Sequence, residues 1–255
     1  NVDIASSRTA DLSGYAGMPG TDWPADSVFA WDVAAHPEFS MQAIQMGLAE
    51  NFDIALMFLD EAVLDVAPAL LPTEAEATAL VEGAVVEIVG WGQQTSDQTP
   101  PAGTVGIKMA GTSVVGDMAA HEFQVGVAED DVRKCHGDSG GPSYLDVGGT
   151  GNSKRLVGGT SHAYDQTDCR ETGGVDTRVD YYLEWIDAEM RSRCEDGTRV
   201  WCETEGIVPS DFSPEGFVFE ETEDEVEGCS CSTAPPPMSL VWAFGLLGLV
   251  SRRRR

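Results

Sequence analysis

The chain has 255 residues, with 43 acidic side chains against 15 basic ones and a formal charge of −28. A surface of that sign repels nucleic-acid phosphates and anionic lipid headgroups, so nucleic acid is not expected as a partner. The length holds one large or two small domains with ample core, and the scattered histidines and cysteines form no metal-binding spacing, so no cofactor is expected.

Taken in chain order, Asn51-Phe52-Asp53-Ile54-Ala55-Leu56 leads into Met57-Phe58-Leu59, which reads as a strand. Ala67 to Pro72 reads as the start of a linker. From about 78 to 178, short alternating runs are broken by Gly, Pro and Asp, the pattern of antiparallel β structure. Val85 to Val89 is one such strand and runs into Gly90-Trp91-Gly92. Leu156-Val157-Gly158-Gly159-Thr160-Ser161 and Gly173-Gly174-Val175-Asp176-Thr177-Arg178-Val179 read as two more. The period then changes: Tyr182, Leu183, Ile186 and Met190 share one apolar face of a predicted helix from Val179 to Met190. Residues 203–227 hold ten acidic side chains, no basic ones, and Pro209 and Pro214. That composition predicts a self-repelling spacer without fixed structure.

The segment with the most chemistry is Cys135-His136-Gly137-Asp138-Ser139-Gly140-Gly141-Pro142. Glycine tolerates backbone angles closed to other residues, so a sharp turn here can point N–H groups inward. The N–H groups of Gly137 and Ser139 can then converge beside the Ser139 hydroxyl. A nucleophile next to donors for a developing oxyanion is what acyl transfer requires.

These residues resemble the nucleophile loop of the trypsin/chymotrypsin family of serine proteases. The resemblance covers residues 1 to about 190, with its landmarks in the family's order: His36-Pro37, Asn51 to Leu56, Gly90-Trp91-Gly92, the Ser139 loop, the Ser161 strand and the Val175 strand. It implies an all-β fold of two six-stranded antiparallel β-barrels, the first incomplete over residues 1–70, the second over 78–190 with its helix. By resemblance, Ser139 is the nucleophile, Asp53 the triad aspartate, and Gly137 with Ser139 the oxyanion hole. Ser161 supports Asp53 by a hydrogen bond, and Asp138 pairs with an N-terminal amine created by activation. Arg133, Ser161, His162, Ala163, Gly174 and Asp176 line the substrate site. Cys135 and Cys169 pair in a disulfide, which implies an oxidising compartment. Cys194 and Cys202 are spaced to close a small loop. Protein or peptide substrates are implied, and a monomer is expected.

One departure matters most. The family's general-base histidine precedes the aspartate in an apolar-Ala-Ala-His-Cys setting, and none of His36, His121, His136 and His162 has it. Either the sequence is truncated and the histidine lies before Asn1, or the protein has lost its general base. On the first reading the parent is a serine endopeptidase; on the second it is a non-catalytic homologue that binds partners at the cell surface. In either case this stretch alone is expected to be inactive. A second departure concerns specificity, because Arg133 stands where trypsin-like enzymes have aspartate. A buried cation there selects an acidic P1 side chain, unless Asp176 pairs with Arg133 and neutralises it, or Asp130 and Asp131 compete for it. His136 reads as a residue of the pocket rim.

The C-terminus combines Gly228-Cys229-Ser230-Cys231, three prolines, the apolar run Leu240 to Val250 and four arginines. Eleven residues fall short of the ~20 that span a bilayer, and the arginines stay on the cytoplasmic side. This arrangement resembles the sorting tails of myxobacterial and related bacterial surface proteins. It implies cleavage near Cys229 or Cys231 and display on the cell surface; the other reading is a retained tail anchor.

Overall fold

The computed structural model describes residues 5–6, 23–61, 63, 69–95, 104–128, 130–149, 151–165 and 172–195. Nine strands are described: β1 Ala5–Ser6, β2 Val28–Ala35, β3 Ala55–Leu59, β4 Val85–Gly90, β5 Met109–Met118, β6 Glu122–Val125, β7 Pro142–Asp146, β8 Lys154–Ala163 and β9 Gly174–Arg178. Two helices join them, α1 Glu74–Ala77 and α2 Leu183–Glu195, the latter entered through a 3-10 turn at Asp180–Tyr182. Strands β4-β5-β6-β9-β8-β7 close into a barrel, while β1-β2-β3 form a separate antiparallel sheet.

The barrel follows from side-chain alternation. In β4, Val86 and Ile88 point inward and are buried, whereas Glu87 points out and meets Lys154 across the sheet surface. Val115, Phe123, Val125, Leu145 and Val157 complete this interior, with Leu80 beneath it. The sheet builds a second core with α2: Ala34, Leu56 and Phe58 meet Val179, Tyr182, Leu183, Ile186 and Met190. All four residues of the predicted apolar helix face are buried there. The helix ends five residues later than predicted, at Glu195, and its first turn is 3-10.

The fold class is therefore the expected one, mostly β with one closed six-stranded barrel, a second sheet and a C-terminal helix. The linker segment holds α1, which sequence reasoning passed over. Thr73 caps it: its hydroxyl accepts the Glu76 N–H while the Glu76 carboxylate accepts the Thr73 N–H. Leu70 bridges to Arg155 on β8, and the Arg155 guanidinium grips Glu76 at 2.7 and 3.0 Å. That grip holds the Glu76 carboxyl below its ordinary range.

Candidate active site

The Ser139 loop is a turn seated against two strands of the barrel. Gly137 has φ of +96°, which side-chain-bearing residues rarely adopt. The Gly140 N–H donates to the Thr160 carbonyl at 2.8 Å, and the Thr160 N–H and hydroxyl both donate to the Gly141 carbonyl at 2.9 Å. Ser139 itself is exposed at the tip.

Asp138, beside it, turns inward. Its carboxylate accepts the Gly92 and Cys135 N–H groups, both at 2.8 Å. A Cβ at Gly90 or Gly92 would lie 1.9 or 2.6 Å from Asp138 atoms, so Gly-Trp-Gly is needed to admit this side chain. Asp138 borders a cavity of about 440 Å³ that Gly90, Gly92, Met109, Val132 and Cys135 also line. The carboxylate that the resemblance paired with an N-terminal amine thus accepts from two backbone donors.

Asp53 is tied to the barrel by both ends of its residue. The Ser161 hydroxyl donates to its carboxylate at 2.6 Å, and the Thr177 hydroxyl donates to its backbone carbonyl at 2.9 Å. Phe52, just before it, has φ of +53°, a strained setting for a bulky residue. Its ring stacks on His36 at 5.0 Å, which packs the strained residue in place. Asn51 reaches the other way, donating to the Glu122 carboxylate at 3.0 Å, which also accepts the Ala49 N–H at 2.8 Å. Burial pushes the Glu122 carboxyl up, and these donors together with nearby His162 oppose the shift.

The expected substrate residues separate. Ser161, His162 and Ala163 run along β8, with Ala163 opposite Gly174 and Thr160 opposite Asp176 on β9. Asp176 does not meet Arg133. Its partner is Lys134, whose ammonium lies 2.8 Å from both carboxylate oxygens and 3.4 Å from the Gly141 carbonyl. The pair is sealed, with 3% and 0% of the two side chains exposed. Burial pushes the Lys134 amine down, and Asp176 opposes it. Arg133 instead donates to the Gly126 and Ala128 carbonyls at 2.8 and 2.6 Å, and Asp131 takes the Ala128 N–H. Cys135 is in a disulfide; Cys169, Cys202, Cys229 and Cys231 lie outside the described residues, as do the spacer and the tail.

The four histidines are also placed. His36 packs among Phe52, Tyr182 and Trp185. His121 pairs with Glu50 at 3.2 Å. His136 is exposed, and its carbonyl accepts the Gln93 N–H. His162 contacts Ser161 and Gly47. Sequence reasoning missed Lys134, Glu122, Asn51 and Thr177. Of these, only Thr177 and Asn51 lay inside quoted motifs, and nothing in the motifs named their partners.

A closed antiparallel barrel thus lies beside a second sheet and carries an exposed serine on a glycine turn. The family model for trypsin matches residues 25–186, and the chain belongs to that family. It is 43% identical over 63 residues, 24% of its length, to melanization protease 1 of Drosophila melanogaster, covering 16% of that protein. It is 29% identical over 187 residues, 63% of its length, to CLIP domain-containing serine protease B14 of Anopheles gambiae, covering 48% of that protein. The chain therefore spans less than half of each of these relatives. Among the described residues, no helix is long and apolar enough to cross a membrane.

Proposed function

We propose that this chain is part of a serine endopeptidase in which Ser139 attacks the scissile carbonyl. In this reading Asp53 orients a general-base histidine that lies outside these 255 residues, and the Gly137 and Ser139 N–H groups hold the oxyanion. One observation carries the reading. Two adjacent residues of β8 hold the two functional segments: Thr160 fastens the Ser139 loop, and Ser161 fastens Asp53. The names of the two relatives, one a protease and the other a serine protease, agree with it.

Arg133 remains the residue proposed to favour acidic P1 side chains, because Asp176 is taken by Lys134. Cys135–Cys169 is the proposed disulfide, 1–190 the protease domain, and 191–227 a cysteine-containing appendage and acidic spacer. The tail from 228 is proposed to display the enzyme on the cell surface.

The test is to express the complete protein with a fluorophosphonate probe. Labelling that Ser139→Ala abolishes, and that needs an upstream histidine, supports the enzyme. A complete reading frame without that histidine, and no labelling, leaves the non-catalytic binding protein.

A further inference from the structure

Asp53 is the middle residue of a tight backbone turn. The Ile54 N–H donates back to the Phe52 carbonyl at 2.9 Å, so the chain reverses around the aspartate. Phe52, which enters that turn, is the one non-glycine among the described residues with a positive φ, +53°. A bulky residue keeps that conformation only where its surroundings impose it. The barrel does not supply the constraint. Ser161 holds one carboxylate oxygen of Asp53 and Thr177 its main-chain carbonyl, and neither bond fixes the backbone angle of the residue before.

His36 touches both neighbours of Asp53. Its N–H donates to the Ile54 carbonyl at 3.0 Å, which carries the β2–β3 ladder one residue past the Ala35–Ala55 pair. Its ring lies nearly flat on Phe52, the centroids 5.0 Å and the planes 14° apart. Turning Phe52 to an ordinary negative φ would swing the phenyl off that face. The imidazole is itself backed by Tyr182 and Trp185, at 5.5 and 5.2 Å. The Glu38 N–H donates to its Nδ1 at 3.3 Å. The turn beyond is closed by the Phe39 N–H on the His36 carbonyl at 3.0 Å, with Pro37 supplying a fixed φ. The ring therefore has no slack in which to follow Phe52.

We propose that His36 is a positioning residue for Asp53. Its backbone holds the exit of the turn at Ile54, and its ring clamps the entry at Phe52 in the positive-φ conformation. Together they direct the aspartate toward Ser161. The consequence for catalysis rests on the endopeptidase reading; the clamp itself does not.

The test follows amide hydrogen exchange in the full chain and in four variants. His36→Leu keeps bulk without a flat ring, and His36→Phe keeps the ring. Phe52→Gly takes a positive φ unaided, and the last variant combines His36→Leu with Phe52→Gly. In His36→Leu, protection of the Ile54 amide falls roughly tenfold, the loss of about one hydrogen bond, while the amides of α2 keep theirs. His36→Phe restores it. On the Phe52→Gly background, His36→Leu changes Ile54 protection by less than about twofold, because no ring is left to clamp. In the complete protein, fluorophosphonate labelling of Ser139 slows about tenfold or more in His36→Leu and recovers in His36→Phe. Should His36→Leu fail to fold, the double variant folds, since glycine needs no clamp. Failure in both backgrounds makes His36 a filler of the α2 core and overturns the proposal. An Ile54 amide that ignores His36→Leu, or falls together with those of α2, or falls equally on the Phe52→Gly background, overturns it too. Exchange needs no substrate. The expected Ile54 pattern with an unlabelled Ser139 therefore refutes the endopeptidase and keeps the clamp, whereas labelling with an Ile54 amide indifferent to His36 does the reverse.

Discussion

Lys134 and Asp176 neutralise each other directly beneath the Ser139 loop, since the same ammonium also reaches the Gly141 carbonyl. Lys134→Met leaves a buried carboxylate alone and is expected to cost about 3–5 kcal/mol in denaturant unfolding. Replacing both partners by apolar residues recovers most of that, because no charge is then stranded. Glu122 makes a prediction of opposite kind. Its carboxyl is raised above its ordinary value of 4.5 by burial, so the folded state binds the proton more tightly than the unfolded one. The stability from this group is complete below about pH 4.5 and is lost as pH rises through the raised value. Glu122→Gln should flatten that part of the stability–pH curve, which urea melts at several pH values would reveal. Asp53, Ser139 and Ser161 could be singled out from the sequence because each sits in a motif with an ordered neighbourhood. Lys134 and Glu122 could not. A local pattern does not name a residue's partner, which comes from 42 residues away for Lys134 and 71 for Glu122.

At the scale of elements, the strands were legible because buried and exposed residues alternate with period two, as in Val85 to Val89. The helix was legible through Tyr182, Leu183, Ile186 and Met190, but its first turn tightened into 3-10 geometry that periodicity does not distinguish. Helix α1 was readable as Thr73-x-x-Glu76 and was passed over because four residues carry no apolar period. Its capping box is expected to matter more than its size suggests, since Glu76 also holds Arg155 of β8. Thr73→Ala should cost about 1 kcal/mol by thermal or chemical unfolding. The Glu76 carboxyl is lowered chiefly by its hydrogen bonds with Arg155. Its contribution is therefore present above about pH 4.5 and fades as acid protonates it, the reverse of Glu122.

Over the whole molecule, two cores share the load: one inside the barrel, one between the first sheet and α2. Truncating Ile186 to Ala opens a cavity in the second and should cost about 2–5 kcal/mol. Hydrogen exchange should show β2 and β3 deprotected before β4 to β9, because the described sheet is open whereas the barrel is closed. The closed barrel and the sheet before it were legible from the order of motifs along the chain. The bonds by which the barrel grips the Asp53 segment were not, since they join residues that no local pattern relates.

Strand β6 has a consequence of its own. Its four residues are all buried: Phe123 and Val125 fill the barrel, while Glu122 grips the segment before Asp53 and Gln124 holds Thr172. A slip of one residue would trade these duties, driving a carboxylate into the barrel and a phenyl ring against the aspartate's support. The strand is thus a lock cut on both edges. Any change that lets the barrel close in another register also misplaces Asp53, so correct closure and a competent aspartate are inherited together.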